Sequence, residues 1–207
     1  MIVCLVIALS ILTRIAGLNY NIYQFAGLGT TGSSTGTGGK ATSAALNQPR
    51  SIWQDTLGSF YVTEMTGNCM RKIDVSTYIV SAYAATCGNA ATTSSGDNGP
   101  ATSSVIYYPI GLFIDSTSRH YIAEFGGNRL RTISSSNIIT TYVGTGVASS
   151  TGNNGKSTAA TVNGICGVWA NTVGYVFIIE FSGQLARGVQ VTTTTVFAIA
   201  GKYIMIN

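Results

Sequence analysis

Charged residues are scarce in this 207-residue sequence, at 9% of the chain against about a quarter in an ordinary globular protein. Glycine is abundant, with 25 copies, and Ser, Thr and Asn fill many other positions. The helix-favouring Glu, Lys and Arg are therefore rare, whereas the β-favouring Ile, Val, Tyr and Thr are common. This composition predicts an all-β protein in which helix is a minor component.

The sequence also lacks a cluster of basic residues. Its formal net charge of +4 comes from eleven cations scattered along the chain against seven anions, and the longest basic run is Arg71-Lys72. Nucleic-acid binding usually requires a basic stripe. The linear sequence therefore argues against RNA binding, although separate repeats could still assemble a basic patch.

Histidine and metal-type cysteine spacings are missing as well. The single histidine, His120, excludes any site that needs two imidazoles from one chain, and no Cys-x-x-C occurs among Cys4, Cys69, Cys87 and Cys166. The sequence thus offers no zinc framework, and we expect neither a metal nor a cofactor. Cys69 and Cys87 could meet in an oxidising compartment, but we interpret the cysteines as buried or tolerated thiols.

The N-terminus contains no charge from Ile2 to Leu12, a run too short to span a bilayer and of signal-peptide length. No Lys or Arg precedes it, and no glycosylation sequon follows. We therefore leave two interpretations of residues 1–17 open: a signal peptide or the remnant of a partial repeat. Secretion is favoured slightly over a cytoplasmic location.

One thirteen-residue pattern occurs three times. It reads "YVTEMTGNCMRKI" at 61–73, "YIAEFGGNRLRTI" at 121–133 and "FIIEFSGQLARGV" at 177–189. A segment ending in Trp53, Phe113 or Trp169 precedes each copy, and a fourth segment rich in Thr, Ile and Val follows. Each repeat therefore predicts four short strands, a to d, separated by turn-forming residues.

Four antiparallel strands recurring at a fixed period are typical of a β-propeller blade. One blade cannot bury both faces of its sheet, so neighbouring blades must stack. We predict a last strand of a partial blade at 18–27, and blades at 46–84, 105–144 and 162–201. The Gly/Ser/Thr-rich linkers between them are 28–45, 85–104 and 145–161.

The segments "SGDNGPATSS", "YPIGLFID", "YIAEFGGNRLRTI" and "IITTYVGTG" of the middle copy together resemble the NHL repeat. The third copy departs from this pattern, with Ile165 where the others have proline and Gln184 where they have asparagine. The resemblance implies a six-bladed propeller, of which this chain carries three full repeats and part of a fourth. We expect a fragment of a larger ring, or two arcs that associate through unpaired terminal blades, and we favour the fragment.

A charge pair recurs across the turn between strands b and c. Its members stand seven residues apart in every repeat: Glu64 and Arg71, Glu124 and Arg131, and Glu180 and Arg187. A catalytic site normally occurs once in a protein, whereas this pair is present in every repeat. We therefore interpret the pairs as partly shielded structural ion pairs that tie each hairpin or adjacent blades together. A ring of ligand-binding groups is the alternative. His120, at the start of strand b, is expected to be a partly exposed filler.

The b–c turns and the long linkers emerge on the same side of the blades, because successive strands alternate in direction. We call this side the long-loop face. Met65, Phe125 and Phe181 open the three b–c turns, and apolar groups at a loop-rich rim are candidate anchors for a partner. Packing against the next blade is the more ordinary interpretation of these three residues.

The resemblance implies a non-enzymatic scaffold that binds a protein, as yet unidentified, through the long-loop face. Related six-bladed propellers include metal-dependent lactonases and amidating lyases, so an enzyme of that kind is the first alternative. Such sites need clustered carboxylate, Asn or His ligands, which this chain supplies poorly. An RNA-binding propeller is the second alternative.

Overall fold

The computed structural model describes residues 22–30 and 32–201, which form three antiparallel sheets. The strands of the first sheet are β1 (Pro49–Gln54), β2 (Phe60–Glu64), β3 (Cys69–Ile73) and β4 (Val80–Ala84). The second contains β5 (Gly99–Pro100), β6 (Pro109–Ile114), β7 (His120–Glu124), β8 (Arg129–Ile133) and β9 (Ile138–Val143). The third contains β10 (Ile165–Ala170), β11 (Tyr175–Glu180), β12 (Leu185–Gln190) and β13 (Thr195–Gly201). The predicted all-β class is confirmed.

Within each sheet the four main strands pair in chain order, and turn chemistry explains where they reverse. The a–b turns close on Asp55, Asp115 and Asn171, whose side-chain oxygens accept hydrogen bonds from backbone amides two and four residues later. The b–c turns place Asn68 and Asn128 at φ values of 50° and 48°, a left-handed conformation that asparagine tolerates.

The three sheets stack face to face as propeller blades. One apolar layer joins Tyr61 and Met70 of the first sheet to Ile122 of the second. The next joins Phe113 of the second sheet to Ile178 of the third. The first strands β1, β6 and β10 contact one another in turn, so they are innermost. Each fully buried aliphatic side chain in these layers contributes about 1.5–3 kcal/mol, which makes stacking the main source of stability.

The inter-blade linkers contain regular secondary structure and backbone hydrogen bonds to the sheets. Each contains a short 3-10 turn, at Ala41–Ser43, Ala101–Ser103 or Ser157–Ala159. Each also hydrogen-bonds to the outermost strand of the sheet that follows it, as when the Gly38 amide donates to the Val80 carbonyl at 2.7 Å. In the middle repeat this contact is strand β5 beside β9. The linkers thereby cover the outer edges, which would otherwise expose unpaired backbone groups.

The predicted last strand of a partial blade, at 18–27, is not a strand where it is described. Residues 22–27 have no strand partner among the described residues, and a lone extended segment has no ladder to join. The segment still packs, because the Phe25 ring lies 4.8 Å from Phe60 and the Gly27 amide donates to Ala41 at 2.9 Å. The apolar leader 1–17, with its two interpretations, lies outside the described residues.

Apolar sheet surface is most open on the third sheet. On the third sheet Trp169 and Ile179 are 50% and 48% exposed, although the equivalent Phe113 and Ala123 of the second sheet are buried under the third. The outer face of the first sheet is covered instead by Phe25 and its neighbours. Across the described ranges, no helix is long and apolar enough to cross a membrane.

Candidate functional site

The recurring charge pairs are buried ion pairs. The Arg71 Nε lies 2.8 Å from the Glu64 Oε1, and neither side chain is exposed to solvent. The equivalent distances from arginine Nη1 to glutamate Oε1 are 3.1 Å in both other sheets, for Arg131 with Glu124 and Arg187 with Glu180. We expected partly shielded pairs, and this was wrong, because the linker folds over each hairpin and seals it.

Each pair holds its own linker in place. The second oxygen of Glu64 accepts hydrogen bonds from the Ser34 hydroxyl at 2.6 Å and from the Asn47 amide at 2.7 Å. Arg71 donates to the Thr35 carbonyl at 3.1 Å. We call this Ser–Glu–Arg arrangement the clasp. It recurs with Ser94 and Ser150 in the other repeats, and its ion pair and linker contacts lie within one repeat.

Burial raises the pKa of Glu124 above its usual range, and the neighbouring Arg131 partly offsets that rise. Arg131 also contacts Asp97, at 2.8 Å. The three glutamates are therefore occupied inside the fold, where no ligand at the surface could reach them.

Asparagine side chains join one blade to the next. Asn68 accepts a hydrogen bond from the Tyr108 amide at 3.0 Å, and Asn128 accepts one from the Gly164 amide at 2.9 Å. Gln184 occupies the equivalent place in the third repeat. We noted this position only as a difference between repeats and missed its role. The signal in the sequence was an asparagine at the same point of the b–c turn in two repeats.

The three apolar turn residues converge on one cavity. Met65, Phe125 and Phe181 line a concave space of about 500 Å³ at the inner rim of the long-loop face. Their backbone amides each donate to the segment just before strand a, at 2.9–3.0 Å, which fixes the turns. Phe125 and Phe181 lie 6.3 Å apart between ring centres. We call this space the rim cavity.

Three further residues line the rim cavity, and sequence reasoning missed them. They are Arg50, Ile110 and Cys166. Each is the extra residue of a β-bulge in strand a, where the register slips, and bulges commonly redirect a side chain beside a binding site. The available signal was a position that recurs in all three repeats yet differs completely in chemistry.

The charge of the rim cavity comes from one residue. Arg50 is exposed and is the only charged group among the lining side chains. Burial raises the pKa of the Cys166 thiol above its usual range, so this thiol adds no negative charge at neutral pH. The cavity is therefore an apolar hollow beside one cation.

His120 is buried, at 3% exposure, and so is not the partly exposed filler that we expected. The stacking of the second sheet on the first encloses it between Tyr61 and Tyr83, with ring centres 4.6 and 4.7 Å away. Its Nδ1 lies 3.4 Å from the Tyr83 hydroxyl. Burial lowers the pKa of His120 to about 4 and raises that of Tyr83 to about 12.

Cys69 and Cys87 form a disulfide, so our interpretation of them as tolerated thiols was wrong. The bond ties the start of strand c to the following linker. The second repeat has Arg129 in place of Cys69, and Arg129 donates to the Thr145 carbonyl of its own linker at 2.7 Å. Glu64 lies within 4.8 Å of both sulfur atoms, but the disulfide and the clasp already occupy these three groups.

Comparison with known proteins supports the fold without assigning a family. No protein-family model matches the chain, and no curated protein is significantly similar in sequence. A protein of unknown function from Bacteroides thetaiotaomicron matches in structure with a TM-score of 0.57 at 19% identity, over 68% of this chain and 34% of that one. A streptogramin B lyase matches with a TM-score of 0.50 at 15% identity, over 75% of this chain and 41% of that one.

At such low identities these matches show the fold alone, which is a β-propeller. The chain spans between about a third and two-fifths of the length of these two proteins.

Proposed function

We propose that this chain is part of an NHL-type β-propeller that serves as a non-enzymatic scaffold and binds a protein partner through its long-loop face. The observation that carries the proposal is the convergence of Met65, Phe125 and Phe181 on the rim cavity. Phe181 remains 69% exposed, and a large apolar side chain held at a concave rim is a typical anchor for a partner.

The placement of the carboxylates supports a scaffold over an enzyme. All seven acidic residues of the chain lie in the described ranges, and each accepts hydrogen bonds within the fold. Three belong to the clasps, Asp97 contacts Arg131 and Thr141, and the others close turns. None of them lines the rim cavity, and Asp97, which lines a separate hollow with Asn98 and Arg129, is already paired with Arg131.

The proposal can be tested by comparing two faces of the same protein. The variant M65S/F125S/F181S removes the apolar groups of the rim cavity. The control L57S/V173S removes two exposed apolar residues of the a–b turns, at the opposite ends of the strands. Tagged wild type and both variants are incubated with extract of the source cells, and bound proteins are quantified by mass spectrometry.

We expect a partner that the wild type and L57S/V173S retain and that the triple variant loses by about tenfold or more, since several central anchors are removed together. The purified partner should then show the same difference in a direct binding assay. Equal recovery with all three proteins, or loss only with L57S/V173S, would show that the long-loop face is not the binding surface.

A further inference from the structure

The geometry points to a specific chemistry for the occupant of the rim cavity: we infer that it binds a segment of a partner protein in which a bulky apolar side chain stands beside a carboxylate. This inference rests on the proposed function and adds the class of segment that the face selects. It follows from the walls of the cavity, its charge and the rigidity of its frame.

The walls select an apolar side chain. Five of the six lining residues are uncharged, and Met65 and Cys166 offer polarisable sulfur that adapts to an apolar surface. Phe125 and Phe181 lie at a tilt of 50° to each other. A space of about 500 Å³ is within the size range of ligand sites and has room for one aromatic or branched aliphatic side chain together with its backbone.

The charge selects an anion. Glu64, Glu124 and Glu180 are each neutralised by the arginine of their own clasp. Arg50 has no such partner, because the salt bridges within the described ranges involve Arg71, Arg131 and Arg187 only. An external carboxylate is therefore the group that the Arg50 guanidinium can bind through paired hydrogen bonds.

The frame holds these groups in fixed relative positions. Every lining residue is either the bulge residue of a strand a or the first residue of a b–c turn. Both positions are anchored, because the turn amide donates to the backbone before strand a and the clasp spans the hairpin. A preformed site of this kind loses little conformational freedom on binding.

The first test uses two fluorescent probes that differ in charge: 8-anilinonaphthalene-1-sulfonate, which is anionic, and neutral N-phenyl-1-naphthylamine. Each is titrated against wild type, R50Q, F181S and K156Q. Lys156 is an exposed linker residue beside Thr195 of the outermost strand, so K156Q removes the same charge far from the cavity.

We expect R50Q to lower the affinity for the anionic probe by about threefold to tenfold, since it removes one partly exposed ion pair. The affinity for the neutral probe should not change. F181S should lower the affinity for both probes, and K156Q should change neither affinity. The anionic probe should also slow the alkylation of Cys166 by iodoacetamide, as measured by peptide mass spectrometry. Such protection of Cys166 would place the probe in this cavity. Equal effects of R50Q and K156Q would overturn the assignment of Arg50.

The second test asks for a protein segment rather than any amphiphile. Acetyl-Asp-Phe-amide and acetyl-Asn-Phe-amide are titrated to millimolar concentration into the 15N-labelled protein, and amide shifts are followed by NMR. The aspartyl peptide should bind about threefold to tenfold more tightly and should lose that advantage in R50Q. Equal binding of the two peptides would refute the inferred preference for a carboxylate. Binding of the sulfonate probe but of neither peptide would refute the inference that the occupant is a protein segment.

These outcomes are separable from failure of the proposed function. Both peptides could bind the wild type and R50Q equally well but bind F181S more weakly. In that case the long-loop face remains a docking surface, and only the inferred preference for a carboxylate is wrong. If the partner search fails while the Arg50-dependent binding holds, the cavity chemistry stands and the macromolecular role does not.

Discussion

At the scale of single residues, the clasps show how a protein with few charges uses them. Six of its eighteen charged side chains, counted as eleven cations plus seven anions, form three ion pairs that are removed from water. Removing two charges from water is costly, and their attraction offsets that cost only when the remaining polar atoms find partners. The linker serines and carbonyls supply several of those partners, whereas Arg71 Nη1, Arg131 Nε and Arg187 Nε have none within the described residues.

Loss of one member of a clasp should therefore be severe. We expect R131M to lower the free energy of unfolding by about 3–5 kcal/mol, because it leaves the Glu124 carboxylate buried without its cation. Urea denaturation followed by circular dichroism measures the change. The double variant E124Q/R131M should recover part of the loss, and equal stability of R131M and wild type would show that the pair contributes nothing.

His120 should make the stability of the protein depend on pH between about 6.5 and 4. Its pKa is about 4 in the fold and about 6.5 when unfolded. Above pH 6.5 the imidazole is neutral in both states, so the stability is fully present. As the pH falls from 6.5 towards 4, only the unfolded state gains a proton, and the free energy of unfolding should drop by as much as about 3 kcal/mol.

Urea denaturation at pH 7.0, 6.0 and 5.0 tests this expectation. Asp55, Asp115 and Lys72 also influence His120 electrostatically. H120F, which introduces the residue that the first repeat carries at Phe60, should flatten the dependence. A slope that persists in H120F would assign it to other groups.

At the scale of elements, the linkers do more than connect blades. They lie along the outer strands, close the clasps and, in the first repeat, carry one half of a disulfide. The second repeat makes the equivalent attachment with the Arg129 hydrogen bond. The fold thus fastens strand c to the linker that follows in two chemically different ways.

The disulfide should matter for stability and the remaining described cysteine should not. Cys69 and Cys87 enclose a loop with a sequence separation of 18, for which loss of the cross-link is expected to cost about 3 kcal/mol. C69S/C87S should therefore melt at a lower temperature than wild type, and reduction of wild type should have a similar effect. C166S serves as the control, and an equal fall with C166S would contradict the assignment.

At the scale of the whole molecule, the open face of the third sheet is the least satisfied surface. Trp169 stacks on Phe177 at 5.7 Å between ring centres, yet no blade covers this face within the described residues. The corresponding faces of the first two sheets each pack against a neighbouring sheet, although Trp53, the equivalent of Trp169, stays 37% exposed. Exposed aromatic sheet surface of this kind promotes association.

We therefore expect the isolated chain to self-associate in a concentration-dependent manner. Light scattering on a sizing column should give a weight-average mass above the monomer value of 21.6 kDa, and W169S/I179K should shift it towards the monomer. L57S/V173S, which changes exposed turn residues instead, should not. A monodisperse monomer at every concentration would show that this face needs no cover.

The sequence by itself determined the repeat, the all-β class, the strand order within each sheet and the pairing of Glu with Arg. These follow from local patterns, because strand alternation, turn residues and a spacing of seven across a hairpin are visible in neighbouring residues. Burial was different. That His120 and the clasps are enclosed, that residues 22–27 form no strand, and that Cys69 meets Cys87 depends on how linkers and neighbouring blades cover one another.

The rim cavity belongs to this second kind of fact. Met65, Phe125 and Phe181 could be proposed from their place in the repeat, but Arg50, Ile110 and Cys166 join them only because a bulge in each first strand turns one side chain towards the rim. Residues from blades about sixty positions apart meet there. Only the stacking of the blades decides such contacts, because no pattern within one repeat specifies what the next repeat places beside it.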